Sequence, residues 1–326
     1  MRTFFTLVVI AVLAGAGCLA WALLIPVAPE GQKFVLLHPG YSTRRIASEL
    51  KSAGVIRSTD AFILWHYLHR RRSLKAGEYL FEKDVNAVEV HRRLMHGDVY
   101  VHTVVVPEGY NIFDIAQAIQ DAGLGSSQDF LNVATTDTAL ISDLAPQAET
   151  LEGYLFPNTY EFTRTQTMQE IAAAMVKQFR QVAREIGLST DVEKSVTLAS
   201  IIEKETAAPE ERPQVASVYY NRMAAQIPLQ ADPSVIYAEL LQGNYSGALH
   251  HADMEFKSAY NTYAHAGLPP GPIGNPGRTS LEAAMHPANT DYFYFVSNGN
   301  GHHRFAHSLE EHNRNVAAYR KAMISK

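Results

Sequence analysis

A glutamate occupies a position that a helix should keep apolar. In Val196-Thr197-Leu198-Ala199-Ser200-Ile201-Ile202-Glu203-Lys204-Glu205-Thr206, the residues Leu198, Ile201 and Ile202 define a core-facing stripe. Glu205 lies seven residues after Leu198, four after Ile201 and three after Ile202. At about 100° per residue it continues that stripe. Glu203 lies about 200° around from Glu205 and is expected to face solvent, with Lys204 beside it. Burial disfavours the charged form of a carboxyl group and raises its pKa. A carboxyl group that keeps its proton near neutrality can serve as a general acid. The bland alternative is a helix that stops before Glu205, which Pro209 would permit, leaving an exposed terminal charge.

The neighbouring segments are polar rather than highly charged. Leu229-Gln230-Ala231-Asp232-Pro233-Ser234-Val235-Ile236-Tyr237 sets Gln230 and Asp232 just before a helix. Pro233 suits a first helical position with Asp232 as its cap, and capping alone is the rival to a chemical role for Asp232. Ser258-Ala259-Tyr260-Asn261-Thr262-Tyr263 offers amides and phenols without charge. Asn298, Asn300 and His307 lie on or beside an expected hairpin. Amides, phenols and aromatic rings beside one buried acid suit a neutral, polar, ring-shaped ligand, a sugar rather than a phosphate. Eight of the 14 histidines fall between His250 and His312, where Glu310 and Glu311 also lie, which raises metal hydrolysis as a second chemistry. No H-E-x-x-H motif occurs, however, and strand alternation separates the side chains around the hairpin, so no metal ligands are assigned.

The elements that must position these residues follow from periodicity and turn chemistry. Lys33 to His38 reads as a strand, Thr43 to Ala53 as a helix closed by Gly54, and Asp60 to Tyr67 as a second helix. Gly77 to Glu82 reads as a strand and Ala87 to His96 as a helix closed by Gly97. An internal repeat appears at an offset of 69: Gly40-Tyr41 matches Gly109-Tyr110, Ile46-Ala47 matches Ile115-Ala116, and Ala53-Gly54 matches Ala122-Gly123. Each copy follows an apolar strand, the second being Val101 to Val106. Leu151 to Tyr160 is aromatic and turn-like. Helices are expected over 168–186, 192–207, 215–223 and 310–323. Asp291 to Ser297 and His303 to His307 form the hairpin. The fold class is therefore α+β.

Composition bounds the rest. The chain has 326 residues, 47% of them hydrophobic, enough for two or three domains with real cores. Its one cysteine excludes a disulfide framework. A formal charge of −5, from 28 basic and 33 acidic residues, argues against a nucleic-acid partner. The charge is uneven: residues 30–102 carry 12 basic against 8 acidic residues, a net of +4, and residues 103–326 carry 15 against 25, a net of −10. Phe4 to Ile25 is an uncharged apolar run of 22 residues, long enough to cross a membrane. Arg2 precedes it, and Pro26 and Pro29 follow, which predicts a cytoplasmic N-terminus and everything after the span outside. A cleaved signal peptide has a shorter apolar region. Lipidation at Cys18, after Gly15-Ala16-Gly17, is disfavoured by the apolar stretch that continues to Ile25.

Taken in order, several of these segments resemble the YceG-like endolytic murein transglycosylase family. They are Leu198 to Thr206, Val215-Ala216-Ser217-Val218-Tyr219-Tyr220-Asn221-Arg222, Leu229 to Tyr237, Ala259 to Tyr263 with Gly267-Leu268-Pro269-Pro270-Gly271-Pro272-Ile273, and His286-Pro287-Ala288. The resemblance covers nearly everything after the apolar run. It implies a cytoplasmic stub and transmembrane anchor over 1–28, a LysM-like glycan-binding module over 30–100, a second LysM-like copy or linker over 101–150, and a mainly helical, distantly lysozyme-like catalytic domain over 151–326 with a small β-hairpin. It implies a single-pass inner-membrane enzyme with a periplasmic catalytic domain, working without a cofactor. The partners implied are peptidoglycan glycan strands, the cytoplasmic membrane through residues 4–25, and penicillin-binding proteins or other cell-wall synthases. The family's catalytic acid falls on Glu205, followed here by Thr206. Motif position makes Asn221, Gln230, Asp232, Tyr260, Asn261, Tyr263, Asn298 and His307 the candidate substrate contacts. Two alternatives stay open: a hydrolase that pairs Glu205 with Asp232, and a non-catalytic glycan-binding scaffold.

Overall fold

Strand, Gly-Tyr turn and two helices recur in the folded chain where the sequence repeats. The structure is a computed structural model that describes residues 1–28, 31–69 and 73–324. Pro29, expected just after the apolar span, lies outside the described residues. The chain divides into two compact units, Met1–Thr103 with Glu161–Thr167, and Val104–Tyr160 with Met168–Lys326. The architecture is mixed α+β, mostly helical, with three two-stranded ladders among the described residues.

The first unit begins with α1 (Arg2–Leu24) and continues through β1 (Lys33–Leu37), α2 (Thr43–Ser52), α3 (Thr59–His69), β2 (Gly77–Phe81) and α4 (Ala87–His96). β1 and β2 run antiparallel, with Lys33 opposite Phe81 and Leu37 opposite Gly77. Local chemistry sets the helix ends. The Ser42 hydroxyl accepts from Arg45 N, and the Asn86 amide oxygen accepts from Glu89 N at 2.8 Å, each satisfying a first-turn donor. Gly97 closes α4 at φ 79°, a left-handed conformation that glycine adopts without penalty. Val35, Leu37, Ile46, Leu50, Phe62, Tyr79, Phe81, Val90 and Leu94 fill one core.

The second unit begins within β3 (His102–Val106), which pairs with β4 (Asn158–Phe162). The segment around β4 was expected to be turn alone. Turns do occupy residues 151–155, but residues 158–162 find a strand partner more than fifty residues back, a pairing that local pattern cannot reveal. After β3 come α5 (Ile112–Asp121), opened by an Asn111–Asp114 capping box, and α6 (Ser127–Thr136). Then follow α7 (Met168–Glu185), α8 (Val192–Glu205), α9 (Arg212–Ala224), α10 (Asp232–Gln242) and α11 (Arg278–Met285). The antiparallel hairpin β5 (Tyr294–Ser297) and β6 (His303–Ala306) precedes α12 (Leu309–Ile324). α8 is the central element, packed by α9, α10 and α11. Ser195 through Ile202 are all buried, on every side of the helix. Two of its three buried hydroxyls are seen to be satisfied: Thr197 donates to Glu193 O at 2.8 Å, and Ser200 donates to Thr197 O at 2.7 Å while accepting from Ile273 N at 3.0 Å.

Candidate active site

Glu205 is the last residue of α8. Thr206 turns the chain extended (φ −136°, ψ 130°), and its hydroxyl accepts from Ala208 N at 3.1 Å, so the helix stops under local control. Four side chains from three other segments act on the charge of the carboxyl group. Tyr219 and Arg222 come from one face of α9, three residues apart. Asp232 is the first residue of α10, and Tyr263 follows in the 258–263 loop.

The Tyr219 hydroxyl donates to the Glu205 carboxyl. Burial pushes the Glu205 pKa up to about 7, opposed by the Tyr219 hydrogen bond, reinforced by the Asp232 charge and opposed again by Arg222. Tyr219 is itself buried, and its own pKa rises well above the usual phenol value through burial and the Glu205 charge. Arg222 is buried. Its Nε donates to Phe293 O at 2.7 Å, and its Nη1 donates to Leu229 O at 2.9 Å, Pro228 O at 3.2 Å and the Gln230 side-chain oxygen at 3.3 Å. That guanidinium therefore fixes the segment leading to Asp232.

The same segment is tied to the 258–263 loop through Thr262. Gln230 N donates to Thr262 O at 3.0 Å and Ala231 N to the Thr262 hydroxyl at 2.9 Å, with the Ser234 hydroxyl 2.8 Å from that hydroxyl. Gln230 takes φ 52°, a left-handed conformation costing on the order of 1–2 kcal/mol for a non-glycine residue. The strain is held by this clamp and leaves the Gln230 side chain exposed. The Tyr263 hydroxyl donates to the exposed carboxylate of Asp232. Asp232 was expected to cap α10, but Ala231 is the cap residue and no side-chain cap bond forms. Asp232 lies inside the first turn, where its carboxylate favours the helix dipole and remains free to meet Tyr263.

The other sequence candidates sit elsewhere or are committed. Both Asn221 amide hydrogens hold backbone carbonyls, Thr290 O at 2.9 Å and Tyr292 O at 2.8 Å. Asn261 corrects the expectation of a substrate contact. It is fully buried, donates to Met254 O and Phe256 O, and accepts from Tyr263 N, so it shapes the loop that carries Tyr263. Tyr260 packs on Tyr237 with ring centroids 5.2 Å apart. The Asn298 side chain accepts from Asn300 N at 2.8 Å and builds the β5–β6 turn. His307 bonds Asp291 at 2.8 Å. His302 and His303 both bond Glu211, at 3.2 and 2.7 Å, and His312 stacks on Tyr294. Among the described residues, no three His, Cys, Asp or Glu side chains gather as metal ligands.

Glu203 overturns another expectation. It does not face solvent: it accepts from Arg212 Nη2 at 2.7 Å and from Gly277 N at 2.9 Å. The one-sided reading failed because α8 is covered on all sides. Glu108 lies beside this pair, 3.6 Å from the Arg212 guanidinium, and burial and the Glu203 charge raise its pKa. Glu152 is a second buried acid that pattern reading passed over. It accepts from Ile112 N, the Tyr237 hydroxyl and the Asn275 amide at 2.8–3.0 Å, while burial pushes its pKa up to about 7. The available signal was an acid set among Leu151, Tyr154, Leu155 and Phe156. Tyr219 and Arg222 were also missed as site residues, though a tyrosine and an arginine on one face of an apolar helix could have marked them. A cavity of about 840 Å³ opens at the other end of α8, lined by Asp191, Lys194, Leu268, Pro269 and His286. Its lining reaches Leu198, seven residues before Glu205 in the same helix, or about 10 Å along the axis.

Residues 35–318 match the model of the YceG-like family. An endolytic murein transglycosylase of Bacillus subtilis (strain 168) is 34% identical, over 94% of this chain and 91% of that protein. One from Streptococcus pneumoniae (strain D39 / NCTC 7466) is 30% identical over 91% of this chain, which spans 60% of that longer protein. The crystal structure of a YceG-like protein from Listeria monocytogenes superposes with a TM-score of 0.57 at 32% identity, covering 87% of this chain and 98% of that one.

Proposed function

Because this chain belongs to the YceG-like family, we propose that it is an endolytic murein transglycosylase with Glu205 as its acid. The observation that carries the residue assignment is the Glu205 carboxyl itself, desolvated and pushed up to about 7, with a phenol donor and the charge of the exposed Asp232 carboxylate acting on it. A group with that pKa supplies a proton near neutrality and accepts one back with little driving force lost either way.

The reaction needs one such group. Protonated Glu205 gives its proton to the glycosidic oxygen between N-acetylmuramic acid and N-acetylglucosamine. The bond from C1 to that oxygen breaks, and charge develops on the ring. The Glu205 carboxylate, stabilised by the Tyr219 hydroxyl, then takes the proton of the muramic C6 hydroxyl as that oxygen bonds C1. A 1,6-anhydro end results, no water is consumed, and Glu205 returns to its protonated form. Gln230, exposed beside Asp232 and Tyr263, is the amide best set to orient the sugar. Hydrolysis is the second reading, and Asp232 is the feature that favours it: an exposed carboxylate beside Glu205 could activate water.

The proposal extends to the rest of the chain. α1 is 23 residues long, about 34 Å, with only Ala22 and Leu23 buried, which suits a single-pass anchor. Arg2 before the span argues for a cytoplasmic N-terminus and periplasmic action. The repeated strand–Gly-Tyr–helix–helix units serve as LysM-like holders for the glycan, feeding a distantly lysozyme-like catalytic section. Cuts within nascent strands would place the protein beside penicillin-binding proteins or other cell-wall synthases.

Mass spectrometry of glycan fragments released by the purified protein and by Glu205→Gln is the test. Anhydro-ended fragments from the unsubstituted protein alone are expected. Ordinary reducing ends would make it a hydrolase through Asp232. Equal cleavage by both proteins would remove Glu205 from its role, and no cleavage by either would leave a glycan-binding scaffold.

A further inference from the structure

The end of α1 is clasped by protein. Ala22 and Leu23 are buried, Leu19 packs on the core of the first unit, and α3 and α4 contact the helix. Arg57 donates to Ile25 O and, at 2.9 Å, to Pro26 O, and its guanidinium lies 4.9 Å from the centre of the Trp21 ring. Val27 and Val85 exchange backbone hydrogen bonds at 2.9 and 3.1 Å. α1 is thus fixed to the unit rather than tethered by a swivel.

A length argument follows. The uncharged apolar run of α1 ahead of this clasp extends from Phe4 to Cys18, 15 residues. At 1.5 Å per residue it spans about 22 Å, against about 30 Å of hydrocarbon. The missing ~8 Å must come from Leu19–Leu24, the turns held against α3 and α4. Whatever clasps those turns then sits at the same depth.

The surface there is suited to lipid. α3 reads Thr59-Asp60-Ala61-Phe62-Ile63-Leu64-Trp65-His66-Tyr67-Leu68-His69, with Asp60 its one acidic residue and no lysine or arginine. Ala61, Phe62 and His66 face the core. Leu64, Tyr67 and Leu68, at spacings of three and four, are 45%, 56% and 68% exposed. Trp21 and Leu24 of α1 are each 55% exposed. A helix apolar on both faces is covered on both faces in its working environment. Leu64 and Cys18 line the same shallow groove, which makes the exposed α3 face continuous with the lipid-facing surface of α1.

We infer that α3 is a second membrane contact, lying in the outer leaflet with Leu64, Tyr67 and Leu68 immersed, so that the first unit docks on the bilayer. The inference rests on the reading of α1 as a membrane anchor. The immersion of about 8 Å falls in the range of interfacial helices. Trp21, Trp65 and Tyr67 then sit where aromatic side chains favour the membrane–water boundary.

The chain contains two tryptophans, Trp21 and Trp65, which makes the test direct. The full-length protein is reconstituted in phosphatidylethanolamine–phosphatidylglycerol vesicles with and without brominated acyl chains. One variant, Trp65→Phe, reports on the anchor through Trp21. The other, Trp21→Phe with Trp65→Phe and Leu68→Trp, reports on the α3 face at an exposed position that does not disturb the core. Loss of the greater part of the emission from both reporters, with the Leu68→Trp reporter quenched most by bromines nearest the headgroup, is the expected result. A quenched Trp21 beside an unquenched Leu68→Trp reporter would overturn the docking while leaving the anchor intact, and would mean that the bilayer thins or another protein covers α3. An unquenched Trp21 would overturn the anchor and the docking with it.

Discussion

Tyr219→Phe removes one oxygen from a buried ring and should move the pH dependence of cleavage upward. The phenol donates to Glu205 and favours its charged form, opposing the rise that burial causes. Hydrogen bonds to charged groups contribute about 1.5–3 kcal/mol. At about 1.4 kcal/mol per pKa unit, losing this one raises the Glu205 pKa by roughly one to two units above its present value near 7. An acid must hold its proton, so activity falls as pH rises through that pKa. The falling limb in the variant therefore lies one to two units further alkaline. The rate on the plateau drops as well, because the carboxylate formed after proton transfer has lost its donor. Asp232→Asn is the opposed control. Its charge disfavours ionised Glu205, so removing it lowers the pKa and moves the limb to more acid pH, by less than about one unit because Asp232 is exposed and screened. The assay is the initial rate of anhydro-ended fragment release from purified glycan strands, from pH 5 to about 9, with folding checked by circular dichroism. A limb that stays in place in Tyr219→Phe, or both variants shifting in the same direction, would refute the assignment of that limb to Glu205.

Three further outcomes follow from buried features around the site. Arg212→Leu strands Glu203 as an uncompensated buried carboxylate, since the Arg212 and Glu203 side chains are 6% and 5% exposed; a loss of about 3–5 kcal/mol in denaturant unfolding is expected, partly recovered by adding Glu203→Gln. Glu152 binds its proton more tightly folded, at about 7, than at its ordinary 4.5, so stability falls as pH rises through that window. The difference is worth at most about 3 kcal/mol, and Glu152→Gln should flatten that slope in unfolding measured across the range. Gly153→Ala puts a Cβ 2.5 Å from Pro272 Cγ and 2.7 Å from Val196 Cγ1, at φ +89°. Strain and overpacking together should cost about 3 kcal/mol, read as a lower melting temperature or loss of soluble protein.

Local chemistry was legible wherever the chain decides its own conformation. Gly54 and Gly97 end their helices in the left-handed region, at φ 72° and 79°. Ser42 and Asn86 cap from the positions that the apolar period marks. The repeat offset of 69 recovered β1–α2–α3 against β3–α5–α6, because the Gly-Tyr turn and the 3.6-residue period are both short-range signals. β4 was not legible, since Asn158-Thr159-Tyr160-Glu161-Phe162 becomes a strand only through β3. Asn261 looked like a ligand group because an amide in a loop usually faces water; here the backbone of Met254 and Phe256 uses it instead.

The two glutamates of α8 show where periodicity stops being informative. The same stripe argument carried the helix to Glu205 and sent Glu203 to solvent. A stripe, however, states only which residues must be covered, and is silent on whether the opposite side is covered too. α8 is enclosed by α9, α10 and α11, so both carboxyl groups leave bulk water, and their partners make them differ. Glu203 meets a guanidinium and a backbone N–H, which compensate its charge. Glu205 has a phenol, a second carboxylate and a guanidinium whose shortest hydrogen bonds go to backbone carbonyls, which together compensate it poorly and leave its proton near the point of transfer. The distinction between the compensated acid and the one proposed for catalysis therefore lies in residues nine and fourteen positions further along, Arg212 and Tyr219, and not in the helix that carries them both.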